Sequence, residues 1–216
     1  MLLNLHRFLP LTEAEGPGKR ACLWVQGCPI RCEGCGVPWT WSKDGGKETS
    51  VDEMYEEIMK SYQVNGIEGV TFLGGEPFEQ AAPLAELAKK LKRAGLSIMC
   101  FSGYPFETLE AANRKDWDDL ISETDLLIDG PFVKSKLDLS RPWVGSSNQH
   151  YRFLTNRYSH LEYELHTLPN RLEIRLGQDG RIMVNGMAAP DTIKDLFLDI
   201  GKKQSGTPIT SKKLRD

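Results

Sequence analysis

The sequence lacks the features of a membrane protein and of a secreted protein. Nowhere in its 216 residues do apolar residues approach the ~20 in succession that a membrane-spanning helix requires. The opening segment MLLNLHRFLPL is interrupted by Asn4, His6 and Arg7, so it lacks the apolar stretch of a signal peptide. Both absences predict a cytoplasmic protein, in a compartment where thiols stay reduced.

An excess of positive charge is also missing. The formal net charge is -3 at pH 7, because 27 Lys and Arg residues stand against 30 Asp and Glu residues. Nucleic acids and anionic membranes are usually bound through basic patches, for which this balance gives no indication. We therefore expect neither nucleic acid nor a membrane as a partner, and the length and 40% hydrophobic content predict one soluble domain with its own core.

Cysteine is scarce, but it is concentrated in one place. The chain has five cysteines, an odd number, and in a reducing compartment this argues against a disulfide framework. Cys28, Cys32 and Cys35 have the spacing C-x3-C-x2-C shortly after the apolar run 21–25, which predicts a buried strand. Three thiols therefore converge on one loop.

Three thiolates on one loop can bind one soft metal ion or one iron-sulfur cluster. A structural zinc site closes with four protein ligands, yet the other cysteines, Cys22 and Cys100, belong to no second C-x2-C pair. A [4Fe-4S] cluster held by three cysteines leaves one iron open for a substrate or cofactor. The spacing favours an iron-sulfur site, and it leaves open a zinc loop completed by His6 or a distant cysteine, or a chance group of buried thiols.

Glycine and polar residues follow three further predicted strands. They are Gly74, Gly75 and Glu76 after 67–73, Ser102 after 96–101, and Asp129 after 124–128. The carboxyl ends of parallel strands meet at one edge of a sheet, where α/β proteins gather their ligand contacts. Glycines at a strand end also let the backbone approach a ligand closely. Each group has a plainer explanation as a turn, which the residues alone leave open.

Helical periodicity alternates with these strands. Ser50 and Glu53 form a capping-box pattern at the start of the first helix. A second helix is predicted over 79–94 and ends at Gly95, and helical pieces are predicted over 105–120. The alternation predicts an α/β fold with a parallel sheet, although periodicity alone does not separate an open barrel from a flat, doubly wound sheet.

The last third of the chain has a different character. Segment 131–150 has weak periodicity and many turn formers, which predicts an ordered lid near the site. A further strand is predicted over 151–155. Two alternating runs around Gln178, Asp179 and Gly180 predict a β-hairpin, and 190–200 predicts a short amphipathic helix.

These patterns predict a single domain over 1–216. Its core covers about 18–155, the hairpin and helix form an extension over about 156–200, and the polar residues 201–216 form a flexible tail. The extension either docks a partner or packs against the sheet edge, and the residues leave both possibilities open.

The cysteine motif resembles the cluster motif of the radical S-adenosylmethionine (radical SAM) superfamily. Its surroundings resemble a narrower group, the anaerobic ribonucleotide reductase activating proteins of the single-cluster type. The flanking matches are GPG at 16–18, Arg20, Cys22, GC at 27–28 and TW at 40–41. Three later segments resemble the same group in the same order, namely TFLGGEPFEQ (71–80), FSGYPFETL (101–109) and DLLIDGPFVKSKLDLSRPWVGSSNQ (125–149). The resemblance covers about the first 150 residues.

The resemblance implies a fold and a set of ligands. The implied fold is an incomplete (β/α)6 barrel of mainly parallel strands, here with a C-terminal β-hairpin extension. Cys28, Cys32 and Cys35 would hold one [4Fe-4S] cluster. Gly74, Gly75 and Glu76 would hold the methionyl end of SAM, the backbone from Gly34 to Gly36 would lie against its adenine, and Ser102 and Asp129 would border it.

The resemblance also implies an activity. One electron from the cluster cleaves SAM to methionine and a 5'-deoxyadenosyl radical, which takes a hydrogen atom from a backbone glycine of a client glycyl-radical enzyme, such as an anaerobic ribonucleotide reductase. A small reducing protein, such as flavodoxin or ferredoxin, would supply the electron.

Two features depart from that group. Gly36 stands where relatives often carry an aromatic residue after the third cysteine, and the smallest activases do not explain the C-terminal extension. Two alternatives therefore stay open. One is a radical SAM enzyme acting on a small molecule or peptide, and the other is a non-catalytic metal-binding or redox-sensing module.

Overall fold

The computed structural model describes residues 1–177, 180, 182–189, 191, 192, 194, 195 and 198. The strands are β1 (Leu2–Thr12), β2 (Arg20–Val25), β3 (Lys47–Ser50), β4 (Gly69–Gly74), β5 (Ser97–Phe101), β6 (Leu126–Asp129), β7 (His150–Phe153), β8 (Leu172–Leu176) and β9 (Ile182–Gly186). The helices are α1 (Val51–Asn65), α2 (Ala81–Arg93), α3 (Phe106–Ala111), α4 (Lys115–Glu123) and α5 (Leu161–Glu164). Short 3-10 helices cover Pro38–Thr40, Pro77–Gln80, Lys134–Lys136, Asn156–Tyr158 and Leu165–Thr167.

The main sheet has the strand order β3-β1-β2-β4-β5-β6-β7. Its centre, β2-β4-β5-β6, is parallel, and the connections between these strands carry α1, α2, and then α3 and α4. The predicted α/β class with a parallel central sheet is confirmed. The carboxyl ends of the four central strands lie along one edge, which positions the loops that follow them.

The described sheet has four parallel strands, so the expected six β/α units are not confirmed. The strands outside the parallel centre, β1, β3 and β7, all pair antiparallel with their neighbours. The connections explain two of these directions. Residues 13–19 between β1 and β2 are too few for the crossover that a parallel neighbour needs, and β6 reaches β7 without an intervening α-helix.

Strand β1 was not predicted, because the polar residues near the N-terminus obscured its pattern. Leu3, Leu5 and Leu9 alternate along it and are all buried. This alternation is the strand periodicity that could have revealed it. The buried core therefore includes residues that precede position 18, where the core was predicted to begin. Strand β3 was not predicted either, and it pairs with β1 at the edge of the sheet.

Helices α1 and α2 cover one face of the sheet. The predicted capping box is confirmed, because the Glu53 amide donates to Ser50 Oγ at 3.1 Å and the Ser50 amide donates to Glu53 Oε2 at 2.9 Å. Side chains from both helices pack on the sheet in one core, which includes Ile58, Leu84, Leu87, Phe72 and Ile98. The burial of these apolar side chains holds the two helices against the apolar face of the sheet.

Residues from the C-terminal third cover part of the opposite face. Trp143, Val144, Tyr158 and Leu161 pack on side chains of β5 and β6. The predicted hairpin is confirmed by the antiparallel pair β8–β9, which contacts the end of β1 through a hydrogen bond from Thr12 Oγ1 to Glu173 Oε2 at 2.8 Å.

The remaining C-terminal predictions fall largely beyond the described residues. Gln178 and Asp179 of the predicted turn lie outside them, as does most of the predicted helix over 190–200 and all of the predicted tail over 201–216. Within the described part of the chain, no helix is long and apolar enough to cross a membrane.

Candidate functional site

The loop after β2 is closed at its base by backbone hydrogen bonds. The Gly27 amide donates to the Thr40 carbonyl at 2.7 Å, and the Cys28 amide donates to the Trp41 carbonyl at 3.0 Å. The Gln26 side-chain amide donates to the Ser42 carbonyl at 2.8 Å. These contacts hold residues 28–39 as a defined loop at the carboxyl edge of the sheet.

The five cysteines fall into two groups. Cys28, Cys32 and Cys35 lie on this loop and are partly exposed, whereas Cys22 and Cys100 are buried within strands. All five are free thiols. The structure therefore places the three predicted ligands together, and the two other thiols point into the strand packing.

Backbone amides face two of the loop sulfurs. The Val37 amide donates to Cys35 Sγ at 3.4 Å, and the Phe132 backbone amide, from the segment after β6, acts to lower the pKa of the Cys32 thiol. Hydrogen bonds to sulfur stabilise thiolates and tune the potential of a bound cluster. The segment predicted as a lid therefore contacts the cysteine loop directly.

Burial raises the pKa of the Cys28 and Cys32 thiols. Backbone donors from Arg31 to Cys28 and from Phe132 to Cys32 oppose this effect, while the negative charge of Glu76 adds to it. Thiolates at this position would therefore share a site with a carboxylate. Such a concentration of negative charge favours a cationic occupant.

The three thiols do not form a site for a single metal ion. Across the described ranges, no group of three or more His, Cys, Asp or Glu side chains is close enough to hold one ion. His6 instead lies beside Trp39, with ring centroids 6.5 Å apart. A four-iron cluster binds each thiolate at a different corner, so three cysteines on one loop can hold it without a fourth protein ligand. The donor set of three free thiols therefore fits a [4Fe-4S] cluster.

The loop after β4 is bonded to the cysteine loop. The Gly75 amide donates to the Val25 carbonyl at 2.8 Å, and the Glu76 amide donates to the Gly27 carbonyl at 2.9 Å. A Cβ on Gly75 would collide with the Gly27 carbonyl oxygen, and Gly74 has a φ of +108° that side chains rarely adopt. These glycines therefore allow the two loops to lie close together.

Glu76 is a buried carboxylate surrounded by neutral donors. Its Oε1 accepts from the Phe78 amide and from Ser102 Oγ, both at 3.0 Å, and its Oε2 accepts from the Gly103 amide at 2.8 Å. Burial raises its pKa to about 7 in spite of these donors, and in the described part of the chain no cationic side chain offsets that burial. The predicted residues Glu76 and Ser102 are thus in direct contact.

Asp129 lies at the end of β6, as predicted, but its oxygens have protein partners. Oδ1 accepts from Arg152 Nε at 2.8 Å, and Oδ2 accepts from the Phe106 amide at the start of α3, at 2.9 Å. The ion pair and the helix-end contact give this buried carboxylate a structural role.

Two aromatic residues near the site were not among the predicted ligands. Tyr104 donates from its hydroxyl to Glu79 Oε1 at 3.0 Å, and its amide donates to Ser102 Oγ at 3.0 Å. Phe132 lies against Gly34, whose Cβ position is 3.3 Å from the ring. Both residues follow the ends of predicted strands, so their positions in the sequence could have identified them as site residues. Gly36 has open space around its Cβ position.

A family model described as "4Fe-4S single cluster domain" matches residues 14–152. Among curated proteins, the anaerobic ribonucleoside-triphosphate reductase-activating protein of Vibrio cholerae is 29% identical over 153 residues, which are 68% of this chain and 96% of that protein. The protein of the same name from Enterobacteria phage T4 is 30% identical over 154 residues, which are 68% of this chain and 92% of that protein.

A second kind of relative shares less of its length. The pyruvate formate-lyase-activating enzyme of Staphylococcus epidermidis is 35% identical over 128 residues, covering 58% of this chain and 51% of that protein. Among solved structures, QueE from Escherichia coli is similar with a TM-score of 0.37 at 20% identity, over 48% of this chain and 53% of that chain.

Proposed function

Because the chain belongs to the 4Fe-4S single cluster domain family, we propose that it is a radical SAM enzyme that activates a glycyl-radical enzyme. One observation carries the proposal. A loop with three free thiols is hydrogen-bonded to a second loop that presents Glu76, a buried carboxylate with no cationic partner among the described residues. The relatives that match most of their own length over this chain are named as activating proteins.

Each part of the site has a proposed role. Cys28, Cys32 and Cys35 would hold the [4Fe-4S] cluster, which when bound supplies the electron that cleaves SAM to methionine and a 5'-deoxyadenosyl radical. Glu76 would accept the ammonium group of the methionyl end, with Ser102 holding the carboxylate in position. Both the ammonium and the sulfonium are cationic, which suits the negative charge of this site.

The other predicted contacts keep their proposed roles. Gly74 and Gly75 would leave the methionyl end room beside the cysteine loop, and the backbone from Gly34 to Gly36 would lie against the adenine. Asp129, already paired with Arg152, would border the site from the end of β6.

We propose an anaerobic ribonucleotide reductase as the client, since several relatives are named as its activating proteins. A small reducing protein such as flavodoxin or ferredoxin would deliver the electron, and the setting would be the cytoplasm. The organisation into a core, an extension over about 156–200 and a tail over 201–216 belongs to this proposal. The incomplete barrel that the resemblance implies also belongs to this proposal. Its support is the row of four parallel strands at the centre of the sheet.

The test combines the reconstituted, reduced protein with SAM and with candidate glycyl-radical enzymes under anaerobic conditions. We expect an electron paramagnetic resonance doublet on the client and release of 5'-deoxyadenosine. SAM cleavage with modification of a low-mass compound and no client signal would favour the small-molecule alternative. Zinc without labile sulfide would favour the non-catalytic module.

A further inference from the structure

The ring of Phe132 is held against the cysteine loop by two glycines. A Cβ on Gly34 would lie 3.3 Å from the ring, and a Cβ on Gly145 would lie 3.1 Å from its other edge. Both distances are shorter than ordinary van der Waals contacts, so a side chain at either position would push the ring away. The cysteine loop and the segment after β6 are thus both shaped around this ring.

Phe132 also forms part of an open cavity. The cavity has a volume of about 510 Å³ and is lined by Glu33, Phe132, Val133, Lys134 and Ser135. The ring is only partly buried, so part of its surface faces this space. At the rim, Lys134 Nζ and Glu33 Oε1 are 3.4 Å apart, and both side chains are largely exposed.

This combination suits a flat heteroaromatic base. An aromatic wall offers a surface for stacking, and an ammonium and a carboxylate beside it can bond the acceptors and the exocyclic amine of an adenine edge. Gly36, on the other side of Cys35, offers only open space. In the cavity beside the cysteine loop, Phe132 supplies the aromatic surface.

We propose that Phe132 stacks on the adenine of SAM and determines the affinity for the adenosyl part of that molecule. This inference rests on the proposed function, because it requires SAM as the ligand. Gly34 and Gly145 act as positioning residues that leave room for the ring. Phe132 lies within residues 14–152, the part of the chain that the family model matches.

The test measures binding to the anaerobically reconstituted protein by equilibrium dialysis. Two ligands are compared, namely SAM and S-methylmethionine, a sulfonium amino acid without adenosine. We expect Phe132→Ala to weaken SAM binding by about tenfold and to leave S-methylmethionine binding unchanged. Phe132→Tyr should bind SAM like the wild type. Leu137→Ala, at an exposed position outside the cavity lining, is the matched control and should change neither affinity.

Several outcomes would overturn the inference. Wild-type affinity of Phe132→Ala for SAM would do so, and so would an equal loss for both ligands, because that would indicate a general distortion of the loop. If Phe132→Ala fails to retain its cluster absorbance, Phe132→Leu, which keeps apolar bulk without an aromatic face, decides the same question. If the wild type binds SAM and Phe132→Ala binds it equally well, this inference fails alone; if the wild type does not bind SAM, the proposed function fails together with it.

Discussion

At the scale of single residues, the cysteines differ in what surrounds them. Cys32 is partly exposed on the loop, whereas Cys100 is buried in β5, where burial raises the pKa of its thiol. A buried thiol of this kind behaves as a small apolar side chain, while a partly exposed one with backbone donors can become a ligand.

This difference predicts contrasting variants. Cys32→Ala should lose most of the iron and labile sulfide after reconstitution and should not cleave SAM, because only two thiolates remain on the loop. Cys100→Ala is the matched control and should retain both the iron-sulfur content and SAM cleavage. The measurement is iron and sulfide analysis with the absorbance spectrum, and full cluster content in Cys32→Ala would remove the cluster assignment.

Glu76 predicts a dependence of stability on pH. Its pKa is about 7 in the folded protein against an ordinary value of 4.5, so the folded state binds its proton more tightly than the unfolded state does. The stability that this group contributes is therefore fully present below about pH 4.5 and is lost as the pH rises through about 7. The loss is on the order of 3 kcal/mol.

The check compares wild type with Glu76→Gln in urea denaturation of the cluster-free protein at about pH 5 and about pH 8. Relative to Glu76→Gln, the wild type should lose stability between the two conditions, because only the wild type carries the Glu76 carboxyl that ionises there. Glutamine cannot accept from both the Gly103 and Phe78 amides as a carboxylate does, so only the change with pH is interpreted. The prediction would be contradicted if the free energies of unfolding of wild type and Glu76→Gln differed by the same amount at both pH values.

At the scale of elements, the loops after β2 and β4 form one unit. Their backbones are joined at Val25–Gly75 and Gly27–Glu76, and the spaces that side chains would occupy are filled by backbone. A ligand contact was the reason predicted for the glycines at 74 and 75. The structure adds another, which is the close approach of the two loops.

A pair of glycine substitutions tests this unit. Gly75→Ala should destabilise the protein by about 2 kcal/mol and reduce cluster retention, because its Cβ meets backbone that cannot rotate away. Gly36→Ala has nothing within 4 Å of its Cβ position, so its stability should stay within about 0.5 kcal/mol of the wild type. Urea denaturation and iron content measure both. Equal stability of the two variants would show that the loops can separate freely.

At the scale of the whole molecule, the C-terminal third is anchored to the sheet by a buried arginine. Arg20 donates to Tyr158 Oη at 2.7 Å, to Thr71 Oγ1 at 2.7 Å and to the Val70 carbonyl at 2.7 Å, all neutral oxygens. Tyr158 lies outside residues 14–152, so this contact joins the extension to the part of the chain that the family model matches.

Tyr158→Phe should therefore lower the free energy of unfolding by about 1–3 kcal/mol, because the buried guanidinium loses an acceptor. Tyr163→Phe provides the control, since that side chain is 78% exposed and its change should be within about 0.5 kcal/mol. Thermal or urea denaturation measures both variants. A Tyr158→Phe variant as stable as Tyr163→Phe would mean that the extension is not anchored through this contact.

Much of the fold and the site followed from local sequence patterns. The spacing of Cys28, Cys32 and Cys35, the capping box at Ser50 and the alternation of strands and helices involve residues close together in the chain. Such patterns depend on period, spacing and turn chemistry, which a sequence displays directly. They were sufficient for the α/β class and for the carboxyl edge of the sheet as the place of the site.

Only the tertiary structure decided the contacts between distant segments. The bond from Ser102 to Glu76, the pairing of Asp129 with Arg152, the antiparallel pairing of β6 with β7, and the place of Phe132 beside Gly34 all join residues far apart in sequence. Strand direction follows from how connections cross the sheet, and the charge state of a carboxylate follows from burial and from the donors that reach it. Neither is a property of neighbouring residues, so the sequence by itself determined which residues are predicted as ligands, and the folded chain decided their environment.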